Sequence, residues 1–230
     1  PTAHTFTVNA EKSVLDAALR QGIILPYGCR NGACGSCMGS IIEGNVSYGN
    51  GNPPALDDDD AAAGKALFCQ AHADSDLVIR VREVDAARDI EIKTLPCRVE
   101  KLEHLAHDVI RIYLKMPATE RLQFLAGQYL EILLPDGKRR AFSIASPPQS
   151  EDIVELHVRH VEGGGFTSWV FDELEVRDIL RLEAPLGTFF VRNDDTGRPL
   201  IMVGGGTGFA PLKSMIEDLL AHGDTRPLHL

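Results

Sequence analysis

Three cysteines lie within nine residues of a glycine-rich segment, and thiols this close together indicate a metal centre or disulfides. Cys29, Cys34 and Cys37 belong to YGCRNGACGSCMGS, and Cys69 follows in ALFCQA. Disulfide bonds, a zinc ion or an iron–sulfur cluster could use such thiols. The chain has five cysteines, an odd number, and its first residues show no signal-peptide pattern. We therefore expect a reducing, cytoplasmic setting, which favours metal ligation.

The spacing of the cysteines distinguishes the two kinds of metal centre. Cys29, Cys34 and Cys37 follow C-x4-C-x2-C, and this spacing with a distant fourth cysteine is the plant-type arrangement for a [2Fe–2S] cluster. Structural zinc sites usually pair their ligands in two short knuckles, whereas Cys69 stands alone. The loop glycines let backbone N–H groups approach the cluster. We predict that these four cysteines ligate one [2Fe–2S] cluster and that Cys97 is a half-buried strand thiol.

The segments around this loop predict a compact domain over residues 1–84. HTFTV and DLVIRV alternate like strands, SIIEGNV is typical of a strand pair with a glycine turn, and SVLDAALRQGI predicts a helix capped by its serine. The DDDD run at 57–60 indicates a solvated loop or a helix start rather than a calcium site. With CRNGACGSCMGSIIEG, this stretch resembles plant-type [2Fe–2S] ferredoxins. The resemblance implies a β-grasp fold and a one-electron carrier.

A different pattern follows residues 85–94, which are predicted to form a linker. Six short alternating segments between residues 97 and 187 are typical of an antiparallel barrel or sandwich. FTSWVFDEL has helical periodicity, and Thr167 or Ser168 could cap that helix, leaving its first N–H groups free for an anion. PLIMVGGGTGFAPLKSMIEDLLA predicts a strand, a glycine turn and an amphipathic helix. This βα unit suits a dinucleotide phosphate, although a purely structural tight turn also fits it.

Three motifs of residues 95–230 together resemble the ferredoxin–NADP reductase superfamily. They are RAFSIAS at 140–146, the glycine-rich helix start GGGFTS, and GGGTGFAP at 204–211. The resemblance implies an FAD-binding β-barrel domain over 95–195 and the beginning of an NAD(P)-binding domain over 196–230. That second domain is expected to be incomplete here, because such a domain normally needs ~100 residues or more.

The same resemblance implies roles for individual residues. Arg140 holds a flavin phosphate, Phe142 packs on the isoalloxazine, and Ser143, the predicted catalytic residue, lies near the reactive N5 edge. Arginine matches phosphate geometry and aromatic rings stack on planar ones, although a surface charge and a core residue are the plain alternatives for the first two. The other predicted cofactor-binding residues are His157, Arg159, Gly164, Gly165, Phe166, Thr167, Ser168, Gly204, Gly205, Gly206, Thr207, Gly208 and Pro211.

The predicted fold class is multidomain α+β, with a β-grasp ferredoxin domain, an antiparallel β-barrel flavin domain and the start of an α/β nicotinamide-binding domain. The predicted function is an NAD(P)H-dependent iron–sulfur flavoprotein reductase that passes electrons through FAD and [2Fe–2S] to a protein acceptor, such as an oxygenase or P450. The chain equally resembles CDP-6-deoxy-glucoseen reductases. A non-enzymatic electron carrier and a zinc-binding interaction module are the alternatives. The net charge of −10 disfavours nucleic acid, and no apolar run approaches the ~20 residues of a membrane helix.

Overall fold

The computed structural model describes residues 3–150, 153–192 and 197–230. It divides into two compact units, Pro1–Asp89 and Ile90–Leu230, so the division falls inside the segment predicted as a linker. The predicted boundary at residues 195 and 196 lies outside the described residues. Within those residues, none of the helices has the length and apolar character needed to cross a membrane.

The first unit combines two short helices with small antiparallel sheets. Helix α1 (Val14–Arg20) begins as predicted at Ser13, whose hydroxyl accepts a hydrogen bond from the Asp16 N–H at 3.1 Å. The other elements are β1 (Met38–Glu43), β2 (Val46–Ser47), α2 (Asp58–Ala62), β3 (Lys65–Leu67), β4 (His72–Ala73), β5 (Val78–Arg80) and a 3₁₀ turn (Asp85–Ala87). One sheet has the order β3-β1-β5, and β2 pairs with β4 in a second. The aspartate run does start a helix, because Asp57 caps α2 by accepting from the Asp60 N–H at 2.7 Å.

Two strand predictions in this unit are wrong. HTFTV is not a strand: the Thr7 N–H donates to Gln21 Oε1 at 3.0 Å, and the Thr7 carbonyl accepts from Gln21 Nε2 at 2.8 Å. The side chain at the end of α1 thus takes the place of a neighbouring strand. SIIEGNV does contain two strands around Gly44, which has φ +90°. They do not pair with each other, because β1 and β2 belong to different sheets.

The second unit is built on a six-stranded antiparallel sheet that closes on itself. Its strands are β6 (Lys93–Ala106), β7 (Val109–Lys115), β8 (Tyr129–Leu133), β9 (Arg139–Ser143), β10 (Ile153–Arg159) and β11 (Ile179–Leu186), in the order β10-β7-β6-β11-β8-β9. A bridge between Ile144 and Leu156 joins the two outer strands. Alternate side chains of β7 and β10 fill the interior, as period-two patterning predicts.

Two further expectations need correction. The end of the predicted linker is already strand, since Lys93 and Thr94 pair with Ala184 and Glu183 of β11. Cys97 is fully buried in the core of this unit rather than half-buried, at 2% exposure. Both corrections have one cause, because β6 lies between two neighbouring strands and starts earlier than its polar sequence indicates.

The remaining elements of the second unit are α3 (Gly165–Asp172), β12 (Leu200–Ile201), a 3₁₀ turn (Gly206–Gly208), α4 (Phe209–Ala221) and β13 (Leu228–His229). As the βα pattern predicts, a strand and a glycine turn precede an amphipathic helix, and β13 then pairs with β12 in parallel. Met202, Leu212 and Met215 pack together with Ala126. Ile201 and Val203, in contrast, are 79% and 90% exposed.

Candidate functional site

The four predicted cluster ligands occur as two pairs of thiols. Cys29 and Cys34 are exposed, and the Cys29 N–H donates to Cys34 Sγ at 3.4 Å. Cys37 and Cys69 are buried and lie close enough for each thiol to shift the pKa of the other. The pairs are close enough for Cys29 to act electrostatically on Cys69. The four thiols therefore form one pair of Cys29 with Cys34 and one pair of Cys37 with Cys69.

Hydrogen bonding makes two of these thiols easier to ionise. The hydrogen bond with Cys69 lowers the pKa of Cys37 to about 7, and the same bond raises the pKa of Cys69. Burial alone would raise the pKa of Cys34, but hydrogen bonds with Ser36 and Cys29 outweigh it and lower that pKa to about 7. Because the thiolate is the ligand form of cysteine, one member of each pair is disposed to bind metal.

The backbone of the cysteine loop is held in left-handed conformations. Arg30, Gly32 and Gly35 have φ values of +57°, +78° and +73°. A Cβ on Gly32 would lie 2.6 Å from the Cβ of Pro53, so only glycine fits there without a shift. The Arg30 guanidinium pairs with Asp16 of α1 at 2.5 Å, which fastens the loop to the helix.

The donors of this loop fit a binuclear cluster. A [2Fe–2S] cluster takes four cysteine thiolates. The backbone of Gly32 favours the thiolate form of Cys69, because its interaction with this thiol acts to lower the pKa. In the part of the chain that the structure describes, no three His, Cys, Asp or Glu side chains converge closely enough for one metal ion. The two pairs of thiols match the four thiolates that the two iron atoms of such a cluster take.

A cleft of about 630 Å³ in the second unit brings together most of the predicted cofactor residues. Ala141, Val161 and Ala210 also line it, although the motifs did not single them out. The small alanines were detectable only as neighbours of motif residues, because an alanine carries no chemical signal of its own. The predicted residues in the lining are Arg140, Phe142, Ser143, His157, Arg159, Gly164, Gly165, Phe166, Thr167, Thr207 and Gly208.

Five predicted residues do not line this cleft: Ser168, Gly204, Gly205, Gly206 and Pro211. Ser168 lies within hydrogen-bond distance of His160 Nε2, at 3.3 Å from its hydroxyl oxygen. Pro211 is buried in α4. A Cβ on Gly204 would lie 2.8 Å from Leu212 Cδ1, so this glycine lets the turn pack against its own helix. For Gly204 and Pro211 these contacts give a packing role within the turn and helix, and a cofactor contact for the five residues stays a prediction.

The start of α3 presents free backbone donors to the cleft. Gly164 is the N-cap residue and makes no side-chain cap, which corrects the expectation that Thr167 or Ser168 caps this helix. Thr167 lies inside the helix instead, and its hydroxyl accepts from the Val161 N–H at 3.1 Å. A helix N-terminus without a side-chain cap attracts anions. Since Arg140 lines the same cleft, a phosphate there would meet both a helix N-terminus and a guanidinium.

Aromatic rings form part of the cleft wall. Phe142 and Phe166 have ring centroids 5.7 Å apart, and both residues line the cleft. A second groove of about 1220 Å³ shares Arg140, Gly165 and Phe166 with the first and continues along Trp169 and Leu180. The two cavities therefore meet at the start of α3, so a ligand bound by its phosphates there has apolar space on either side.

One buried acidic residue beside the cleft belongs to none of the sequence motifs. Glu155 is 6% exposed, and its Oε1 lies 2.7 Å from Nε2 of His157, a cleft residue. Burial alone would raise the pKa of Glu155, but hydrogen bonds from His157 and Lys213 outweigh it and lower the pKa to about 2. Glu155 is therefore ionised at neutral pH. His157 is two residues away, but the partners Arg111 and Lys213 come from distant parts of the chain, so no local motif could have revealed this cluster.

Comparison with known proteins assigns a family to each unit. Residues 1–74 match the 2Fe-2S iron-sulfur cluster binding domain, and residues 96–191 match the oxidoreductase FAD-binding domain. The chain is 39% identical over 230 residues to CDP-6-deoxy-L-threo-D-glycero-4-hexulose-3-dehydrase reductase of Yersinia pestis, covering 100% of this chain and 68% of that protein. It is 42% identical over 208 residues to reductase component 1 of terephthalate 1,2-dioxygenase of Comamonas sp, covering 90% of this chain and 61% of that protein.

Among solved structures, the Amycolatopsis cytochrome P450 reductase GcoB matches with a TM-score of 0.79 and 33% identity, over 98% of this chain and 68% of that one. The chain thus spans about two thirds of the length of the relatives that it matches.

Proposed function

Because the chain belongs to the family of electron-transfer reductases that join a [2Fe–2S] ferredoxin domain to an FAD-binding oxidoreductase domain, we propose that it carries electrons from NAD(P)H to an acceptor protein. FAD takes two electrons as a hydride and releases them singly, and a [2Fe–2S] cluster carries one at a time. The observation that carries the proposal is the cleft in which the flavin motif and the glycine turn meet. In architectural terms, we propose a β-grasp fold for the first unit and a flavin-binding β-barrel for the second.

We propose the following roles for the residues of the cleft. Arg140 and the uncapped start of α3 bind the diphosphate of FAD, since both offer charge-assisted hydrogen bonds. Phe142 contacts the flavin ring, with Ser143 beside it at the end of β9. Thr207 and Gly208 leave room for a nicotinamide because neither has a bulky side chain. The groove that continues past Trp169 has room for the adenosine half of FAD, which favours FAD over FMN.

The acceptor that we propose is an oxygenase component, because relatives of this chain include the reductase components of terephthalate 1,2-dioxygenase and phenol 2-monooxygenase. A second candidate is a dehydrase of deoxysugar synthesis, favoured by 39% identity over the whole chain to the Yersinia pestis reductase. In either case, the net charge of −10 suits a basic docking surface on the acceptor. We place the reaction in the cytoplasm, where the cluster thiols stay reduced.

Anaerobic stopped-flow absorbance tests the proposed order of transfer. The flavin band should bleach on mixing with NADH or NADPH, and the cluster band should bleach afterwards. Cluster bleaching before flavin bleaching would contradict the order. A colourless protein that contains zinc would contradict the proposal as a whole. Chromatography of the heat-released flavin decides between FAD and FMN.

A further inference from the structure

Helix α4 is attached to the closed sheet by a partly buried ion pair. Lys213, in the second turn of the helix, donates from Nζ to Glu155 Oε2 at 3.1 Å. The same ammonium group donates to the Ala145 carbonyl at 3.3 Å and to Glu217 Oε2, on its own helix, at 3.0 Å. Only the first two of these bonds join the helix to the sheet.

Glu155 faces outward from the closed sheet. Its neighbours Val154 and Leu156 belong to the core cluster, and side chains alternate along a strand. Glu155 is nevertheless only 6% exposed, because α4 and the segment after β9 cover it. Arg111 and His157 also face this carboxylate, at 3.4 Å and 2.7 Å. Displacing α4 would separate this buried carboxylate from Lys213, so the ion pair favours the docked position of the helix.

Hydrogen bonds next to the ion pair hold the same three segments. The Ser146 hydroxyl accepts from the Glu155 N–H at 3.1 Å, and the Ser146 carbonyl accepts from the hydroxyl of Ser214 on α4 at 2.7 Å. Ser214 is 0% exposed. The Ala145 N–H in turn donates to the Glu155 carbonyl at 2.8 Å. Strand β10, the segment 144–146 and helix α4 therefore form one hydrogen-bonded assembly.

This assembly lies directly beside both halves of the cleft. The segment 144–146 continues from Phe142 and Ser143, and α4 continues from Thr207 and Gly208; all four of these residues line the cleft. Any displacement of α4 along the sheet would move the glycine turn relative to the flavin residues. Hydride transfer depends steeply on the placement of the reacting groups, since a shift of about 1 Å can cost 10²-fold in rate.

We propose that Glu155 is a positioning residue, which holds α4 through Lys213 and so fixes the glycine turn against the flavin residues. This inference rests on the proposed function where it takes FAD and a nicotinamide nucleotide as the two ligands. The docking of α4 by Glu155 does not depend on the proposed function. The competing explanations are a role limited to stability and a role exerted on the flavin through His157.

Glu155→Gln keeps the shape of the side chain and removes its charge, and Lys213→Met keeps the aliphatic stem. The matched control is Glu217→Gln, which removes a partner of the same Lys213 without a bond between helix and sheet. The first readout is hydrogen exchange of the α4 amides, with and without FAD. We expect about tenfold faster exchange in the first two variants, ~1.4 kcal/mol of opening free energy, and no change in the control.

The second readout uses the FAD-loaded protein with NADH and NADPH. It measures the flavin–nicotinamide charge-transfer absorbance and the limiting rate of flavin reduction. Both are compared between variants after correction for the flavin content. We expect weaker absorbance and slower reduction at normal flavin content in Glu155→Gln and Lys213→Met. Unchanged α4 exchange, or a control that behaves like the variants, would overturn the proposal. Faster exchange with normal absorbance and reduction would overturn it in favour of a purely structural role.

Loss of flavin from Glu155→Gln but not from Lys213→Met would overturn the proposal in favour of a role through His157. If Glu155→Gln does not fold, Lys213→Met decides alone. If the wild-type protein showed no flavin reduction at all, the proposed function would fail, while hydrogen exchange would still report whether Glu155 docks the helix.

Discussion

Cys97 is chemically separate from the other four cysteines because it lies in the core of the second unit. Its thiol donates to the Leu180 carbonyl at 3.7 Å, and burial raises its pKa to about 12. We expect Cys97→Ser to keep the cluster and Cys34→Ser to lose or disturb it. Iron and acid-labile sulfide, each near two per chain in the wild type, together with the visible spectrum, measure this. Loss of the cluster from Cys97→Ser alone would contradict the ligand assignment.

Arg140 and its neighbour Arg139 offer a matched comparison for flavin binding. Arg140 lines the cleft, whereas Arg139 pairs with Glu131 and Glu183, at 2.9 Å each, and does not line it. Arg140→Ala should weaken flavin binding by ~1.5–3 kcal/mol, the value of one charge-assisted hydrogen bond. Arg139→Ala should leave flavin affinity unchanged. Fluorescence titration of the apoprotein with FAD measures both, and equal losses would contradict the role of Arg140.

The low pKa of Glu155 predicts a pH-dependent contribution to stability. Its folded-state pKa of about 2 lies below its ordinary value of 4.5, so the contribution is present above about pH 4.5 and is lost as the pH falls towards 2. The shift corresponds to roughly 3 kcal/mol at most. Urea unfolding should therefore show a difference between wild type and Glu155→Gln that shrinks between pH 5 and 2. A constant difference over that range would contradict the assignment.

Gly127, just before β8, controls how closely α4 approaches the closed sheet. It has φ +102°, and a Cβ there would lie 2.2 Å from Met215 Cε and 2.3 Å from the Phe189 carbonyl oxygen. Gly137 also has positive φ, at +79°, but an added Cβ would meet nothing within 4 Å. Gly127→Ala should lower the free energy of unfolding by about 2–4 kcal/mol, and Gly137→Ala by about 1 kcal/mol. Thermal or urea unfolding measures both, and equal losses would show that backbone strain alone decides.

Elements with a strong local signal were predictable from the sequence. Ser13 caps α1 as expected, and the alternating segments of the second unit are strands. Strand partners were less predictable, because pairing depends on residues far apart in the chain. The backbone of Thr7 bonds to the side chain of Gln21 instead of to a neighbouring strand. An alternation pattern does not reveal such a bond.

The candidate site divides in the same way. Its motifs were visible because cysteines, glycines and an Arg-x-Phe-Ser sequence carry chemistry at fixed spacing. Glu155 was not visible, because its partner Lys213 lies 58 residues away. The alanines that line the cleft were not predicted either, because a small side chain leaves space for a ligand without offering it a chemical group. The cap of α3 was predicted at a hydroxyl because serine and threonine are common N-cap residues. In the structure Gly164 is the N-cap residue, and the Thr167 hydroxyl accepts from the Val161 N–H.

Joining a cluster domain to a flavin domain predicts that the two activities can be separated. A variant of the FAD-loaded reductase that lacks the cluster should still oxidise NAD(P)H with ferricyanide, which takes electrons from the flavin directly. It should fail to reduce cytochrome c at a comparable rate, because the proposed route to a protein acceptor passes through the cluster. Steady-state assays with the two acceptors measure this, and normal cytochrome c reduction without the cluster would require another route.

The short parallel pair of β12 and β13 also affects how this protein behaves at high concentration. Ile201 and Val203 are 79% and 90% exposed, and within the described residues no third strand joins this pair. An open sheet edge with bare aliphatic side chains is a template for pairing between molecules. The exposed side chains of Ile201 and Val203 therefore make this edge the part of the described residues where we expect contacts between molecules at high protein concentration.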